Sequence, residues 1–361
     1  MKFLFEKRLA KSRSAGVLVP ILSFFLALIM GGLILLSFGI NPLEAYSVMV
    51  KGSFGSTYAF SETLVIATPL ILTGLGVAIA FRMLFWNIGA EGQLAVGGIA
   101  ATFAALFLSD ALPDFLTLPV MAIFAVLAGA IWGLIPAILK ATINVNEILT
   151  TLMMNYIAIL GVEYLYLGPW RDPDGYGFPG TAPFPDEALL PRFFGRVHWG
   201  LAFGLLAAAL MWFILSRTRW GYEIRVIGEN REAARYTGMN IARNILLVML
   251  FSGGLAGLAG MAQVSGVAHR LYQGLTVGYG YTAIIIAWLS SLNPIAIPFV
   301  SVFMAALLVG GDQLQIAMQI PAAVADILQG AILFFVLGGG IFVNYRIRLL
   351  RGVEEAGGEH E

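Results

Sequence analysis

The side chains able to do chemistry in this sequence are few, and most of them sit inside apolar runs. Asn87, Glu91 and Gln93 fall in the stretch FWNIGAEGQLA. Asn87 and Glu91 are four apart and share one face wherever a helix already runs there. The glycines at 89 and 92 let backbones approach closely or break the helix. A carboxylate at membrane depth is costly and marks a functional site by default. The bland reading is that Glu91 lies near a helix end and ties two helices together, with Arg82 close enough in sequence to pair with it. In NVNEILTTLMMNY (144–156), Asn146 suits an N-cap and Glu147 the first turn of a helix. Thr150 and Thr151 bond back to their own helix, and Asn155, two turns deeper, needs a partner. It serves either as packing glue, the simpler reading, or as a pathway residue. Asp326 and Gln329 in ADILQG are three apart near the end of the last apolar run, where a structural role is again the simpler one. We take Asn87, Glu91, Gln93 and Asn155 as the substrate-pathway candidates.

The same inventory excludes much. H-E-x-x-H, G-x-S-x-G and the P-loop pattern G-x-x-x-x-G-K-[ST] are absent from the sequence. Any drive from ATP must therefore come from another subunit. There is no Cys, and the three His (His198, His269 and His360) are scattered. The expectation is no catalytic residue, no metal and no cofactor on this chain.

The elements that carry these residues are membrane spans. Of 361 residues, 59% are hydrophobic and 12% charged, with mean hydropathy +0.86. Apolar runs of about 20 residues recur, which predicts an all-α, polytopic transmembrane helical bundle. The runs do not alternate, which argues against a transmembrane barrel. A formal net charge of zero gives no reason to expect nucleic acid as a partner. The basic start is followed by an apolar run from 17 to 39, too long for a cleaved signal peptide. Candidate spans are 17–39, 63–81, 88–108, 117–139, 147–167, 198–216, 244–264, 280–292, 294–310 and 322–343. That makes about ten segments, or eight if short ones do not cross. YTAIIIAWLSSL supplies only about 18 Å of helix, which predicts a half-helix or re-entrant piece.

Lys and Arg orient the bundle. With the N-terminus inside, the cytoplasmic pieces hold Lys2, Lys7, Arg8, Lys11, Arg13, Arg82, Lys140, Arg217, Arg219, Arg225, Arg231, Arg235, Arg243, Arg346, Arg348 and Arg351. The other side holds Lys51, Arg171, Arg192, Arg196 and Arg270. Both termini are then cytoplasmic, in a single transmembrane domain over 1–361. An external loop covers 168–197, rich in Pro and Gly with Trp170, Tyr176 and Phe178, as an ordered connector or a docking surface. Two stretches, NIGAEGQLAVGGIAA (87–101) and TVGYGYTAIIIAWLS (276–290), each open an apolar helix with paired glycines after a break. Matched interruptions in two halves point to a translocation site between them.

Between two spans lies a charged island, 217–243, containing GENREAARYTGMN. Gly228 or Asn230 can start a short helix, with Glu229 and Glu232 near its positive end. Ala233 and Ala234 favour helix, and Gly238 suits the position just past its end. Two or three turns are too short to stand alone. The mixed, small surface suits a protein contact better than lipid, which would want a strong apolar face.

This island resembles the coupling loop of ABC importer permeases. FWNIGAEGQLAVGGIAA (85–101), NEILTTLMMNYIA (146–158), GENREAARYTGMN (228–240), GLAGLAGM (254–261) and YGYTAIIIAWLSSLNP (279–294) are similar to the simple-sugar and nucleoside branch, related to ribose and branched-chain amino acid permeases. The external loop looks like that of nucleoside-type members. The sequence departs from the family pattern at Trp86, where Phe is more usual, and in AIIIAWLSSLNP, which is bulkier. The resemblance implies a type II-importer-like permease, multi-pass in a prokaryotic cell (inner) membrane and surrounded by lipid. It implies ATPase subunits, a second permease (same or related), and a substrate-binding lipoprotein outside. It assigns coupling to Glu229, Asn230, Glu232, Ala233, Ala234 and Gly238, with nucleosides or simple sugars as cargo. An ion-coupled secondary transporter using Glu91, Glu147 or Asp326 is the rival reading, and amino acids or riboflavin are the rival cargoes.

Overall fold

A computed structural model describes residues 2–7, 13–175, 177–321, 323, 324, 327, 328, 330, 331, 334, 335, 338 and 345–350. The expected span 322–343, with Asp326 and Gln329, lies largely outside the described residues, as does Tyr176.

The chain forms two compact units, 1–49 with 311–361, and 50–310. In the first, α1 (Arg13–Ser37) is followed by most of α2 (Pro42–Phe54), the axis bending 114° between them. The Tyr46 hydroxyl donates to the Leu28 carbonyl at 2.6 Å, fastening the bend. A strand, Lys2–Lys7, pairs antiparallel with Tyr345–Leu350. The hydropathy reading did not anticipate α2, because its polar positions interrupt the apolar run.

The second unit holds α3 (Thr57–Arg82), α4 (Ala90–Phe107), α5 (Asp114–Ile143), α6 (Glu147–Leu167), α7 (Gly200–Arg217), α8 (Arg219–Glu229), α9 (Arg231–Tyr236), α10 (Ile241–Gln263), α11 (Tyr279–Leu289) and most of α12 (Ala296–Met318). α10 runs on through one π turn to Ala268. Among the described residues, seven helices are long and apolar enough to cross a membrane, or eight if the bent pair counts as one span. α11, at 11 residues, is the half-helix that its short apolar run predicted.

Local signals set the ends. Ser56 accepts from the Ala59 N–H at 3.0 Å to cap α3. Asn146 caps α6 through Ile148 and Leu149, as its position suggested. α3 is apolar on every side and 89% of its most apolar stretch is buried, as expected for a helix enclosed by others. α10 packs on α3, α4 and α5 through glycines. A Cβ on Gly257 would strike the Ala125 carbonyl, one on Gly97 would strike Gly257, and one on Gly253 would strike Gly129. Small residues permit this backbone approach where no hydrophobic force separates helix from lipid.

Candidate functional site

The polar residues of the spans meet at one break. After Arg82, Leu84 turns the chain with φ 55°, and residues 85–89 run without helical bonding to the start of α4. The Asn87 amide donates to Ser252 Oγ at 2.9 Å and to Gln93 Oε1 at 3.1 Å. Gln93 Nε2 and the Gly89 N–H donate back to Asn87 Oδ1. Ser252 in turn donates to the Gly76 carbonyl at 2.6 Å. Asn155 on α6 accepts from the Gly92 N–H at 2.8 Å and donates to the Ile88 carbonyl and the Tyr281 hydroxyl.

Glu91 has a partner that sequence reading did not find. Its carboxylate accepts from the Gly278 N–H at 2.8 Å and the Gly280 N–H at 2.5 Å. Those amides open α11, so Glu91 in the first turn of α4 also closes the N-terminus of α11. Two helix N-termini, each carrying partial positive charge, converge on one carboxylate. The tie between helices is real, but it runs to backbone amides and not to Arg82. Gly280 is obligatory there, since a Cβ would strike the Glu91 backbone. The paired-glycine stretches thus begin two broken helices that meet.

The break is deep. Ser252 lies nine residues past Arg243 and Gly76 six before Arg82, so the node sits roughly 9–13 Å from the Arg- and Lys-rich end of the bundle. Asn87, Glu91, Gln93 and Asn155 are each 1% exposed or less, and within this chain they bond one another and neighbouring helices. Such satisfied networks hold a unique packing. Glu147 pairs with Lys140 at 2.8 Å, joining α6 to α5.

At the Arg- and Lys-rich end, the charged island folds as two helices. Thr218 caps α8 by accepting from the Gly221 N–H, and Ile224 and Ile227 bury its apolar face. The sequence reading placed this segment in the charged island and assigned it no helix of its own. Gly228 therefore lies inside α8, where a Cβ would strike the Arg82 carbonyl. Glu229 ends α8 instead of opening the next helix. Asn230 starts α9, its side chain accepting from the Glu232 and Ala233 amides at 2.9 and 3.0 Å. Gly238, at φ 77°, closes it, with the Met239 N–H donating to the Ala234 carbonyl. Ala234 is buried, Ala233 faces solvent, and Tyr236 is 92% exposed. Tyr236 was not singled out from sequence. An exposed aromatic amid small and charged residues was the available signal.

At the opposite end, residues 181–190 lie against the end of α10 and the residues that follow it. The Thr181, Phe184 and Leu190 amides donate to the Leu271, His269 and Ser265 carbonyls, and the Ser265 hydroxyl donates to the Ala188 carbonyl. His198 lies buried just before α7, its Nδ1 accepting from the Gly200 N–H. Burial, with Arg192 and His269 acting the same way, holds it down at about 4. A cleft of about 620 Å³ lined by Asp172, Phe178, Arg270, Tyr272 and Gln273 opens here.

The sequence model described as branched-chain amino acid transport system / permease component matches residues 59–337, more than three quarters of the chain. The chain belongs to this permease family. The permease is 37% identical over 340 residues to the glucose ABC transporter permease protein of Haloferax volcanii, covering 91% of this chain and 89% of the relative. It is 35% identical to the guanosine ABC transporter permease protein of Bacillus subtilis, covering 94% and 97%. It is 28% identical to a nucleoside ABC transporter permease protein of Lactococcus lactis, covering 90% and 92%. Of the three residues that the rival reading of ion coupling would use, Glu91 is engaged by backbone amides and Glu147 by Lys140, while Asp326 lies outside the described residues.

Proposed function

We propose that the permease is the membrane-spanning subunit of an ATP-driven importer whose cargo is a nucleoside or a simple sugar. Family membership over 59–337 is the observation that carries the class. The cargo draws on relatives named for glucose, guanosine and nucleosides. On this reading a lipoprotein outside delivers the cargo to the end bearing 168–197. Two permease copies, or this chain and a related one, form the pathway. The Arg- and Lys-rich end faces the cytoplasm of a prokaryotic cell membrane, which the distribution of basic residues supports.

ATP is bound and hydrolysed by partner subunits that dock on α9, with Glu229, Asn230, Glu232, Ala233, Ala234 and Gly238 forming the coupling surface and its frame. α9 suits that task because it is six residues long, capped at both ends and anchored by buried Ala234 and by Arg231 on the Leu84 carbonyl, with Glu232, Ala233, Arg235 and Tyr236 left open. Asn87, Glu91, Gln93 and Asn155 act on transport by shaping the pathway wall from behind.

The test is uptake of labelled guanosine and glucose into liposomes carrying the complete complex. ATP-dependent uptake of one of them is expected. Ala233→Arg should abolish ATPase association and uptake while the chain inserts normally. Uptake by this chain alone, driven by an ion gradient, would overturn the reading.

A further inference from the structure

The break between α3 and α4 does more than interrupt a span. Residues 84–91 lie along α11 and hold it at both ends. At one end Glu91 accepts from the Gly278 and Gly280 amides. Near the other, Trp86 packs on Trp288 with ring centroids 5.9 Å apart, and Phe81 closes the cluster at 5.0 Å from Trp86 and 6.1 Å from Trp288.

The segment is stiffened along its way. Asn87 bonds its own Gly89 amide, and Asn155 holds the Ile88 carbonyl. Its beginning abuts the coupling helices. Arg231, at the start of α9, donates to the Leu84 carbonyl at 3.2 Å. Gly228 of α8 lies against the Arg82 carbonyl so closely that no side chain fits. α11, by contrast, is bounded by left-handed residues: Gly278 at φ 92° before it, Ser291 at φ 51° and Leu292 at φ 59° after it. Chain reversals of this kind at element ends are where hinge motion is absorbed.

We infer that 84–91 is a strap that carries movement from α9 into α11, and that α11 is the element displaced when the permease changes state. Glu91 is a positioning residue in this device, acting through the α11 N-terminus. The transport part of the inference rests on the importer reading above; the grip on α11 does not.

The experiment has two arms, chosen for that reason. In the first, amide hydrogen exchange is followed over 278–289 in the purified full chain. Glu91→Gln, which removes one of two acceptors, should speed exchange there by about tenfold and leave 241–263 unchanged. If Glu91→Gln fails to insert, Trp86→Leu, at the other end of the strap, should do the same near 286–289. Unchanged exchange in 278–289 overturns the strap. In the second arm, cargo moved per ATP hydrolysed is measured in the complete complex for Arg231→Ala, Glu91→Gln and the double variant. Each single change should lower the ratio, and the double should be no worse than the poorer single, because both cut one route. Losses that multiply would overturn the route. Absence of ATP-driven uptake in the unaltered chain would sink the importer reading and with it the second arm, while the exchange result still decides the grip.

Discussion

The break at 83–91 and the stub of α8 and α9 both interrupt the spans, yet they are built on opposite terms. At the break, the amide and carboxylate groups of Asn87, Glu91, Gln93 and Asn155 are buried, and each finds its partners within the chain. At the stub, α9 is anchored by Ala234 and presents Ala233, Tyr236 and several charges to solvent. The first region is closed on itself; the second leaves its outer side open to solvent. A buried polar group without a partner costs about 1–3 kcal/mol, so a break inside a membrane must close on itself. A short helix at the surface faces no such demand and can leave its outer side for another protein.

The largest test of this contrast is a side chain placed inside the break. Gly280→Val drives a Cβ into the Glu91 backbone and removes the fit of α11 on α4. A loss of several kcal/mol is expected, seen as a collapsed melting temperature or failed accumulation in the membrane. A well-folded Gly280→Val chain would show that the break tolerates slack.

Acid provides an intermediate effect, confined to neither region. His198 is held at about 4 by burial, with Arg192 and His269 adding to it, against 6.5 when free. The detached segment therefore binds a proton that the folded site refuses. Stability from this site is fully present above pH 6.5 and is lost as pH falls toward 4, by on the order of 3 kcal/mol. Proteolysis of 168–197 should rise between pH 7 and 4.5, while exchange at 278–289 stays constant. Parallel loosening of both would show that the loop and the break are not independent.

The smallest stability effect belongs to the stub. Tyr236→Ala should shift folding by less than about 0.5 kcal/mol, because the ring is almost wholly exposed. Affinity for the ATPase partner, measured by co-purification or titration, should nonetheless fall clearly, since exposed tyrosines are frequent anchors of protein contacts. A large loss of stability with unchanged association would reverse the comparison.

Which of these features could be read in advance follows from how far apart the interacting groups lie. Asn146, Asn230 and Gly238 mark helix ends through bonds two to five residues long, and their residue types announced them. The short apolar run of α11 and the paired glycines before it were equally local. α8 was missed although Trp220, Ile224 and Ile227 recur at helical spacing, because eleven residues with several charges do not register as an apolar run. The strand pair of 2–7 with 345–350 joins the two ends of the sequence, a pairing invisible to any local window.

By itself, then, the sequence determined that this chain is a bundle of membrane-spanning helices, where most of them start and stop, and that two of them begin after glycine-marked breaks. Hydropathy and capping act within a few residues, so they are written in order along the chain. Only the tertiary structure decided that the two breaks face one another and that Glu91 joins them, since Glu91 and Gly280 are 189 residues apart. A carboxylate's choice between Arg82 nearby and a distant pair of amides depends on which reaches it first in space, and that is settled by how the helices pack.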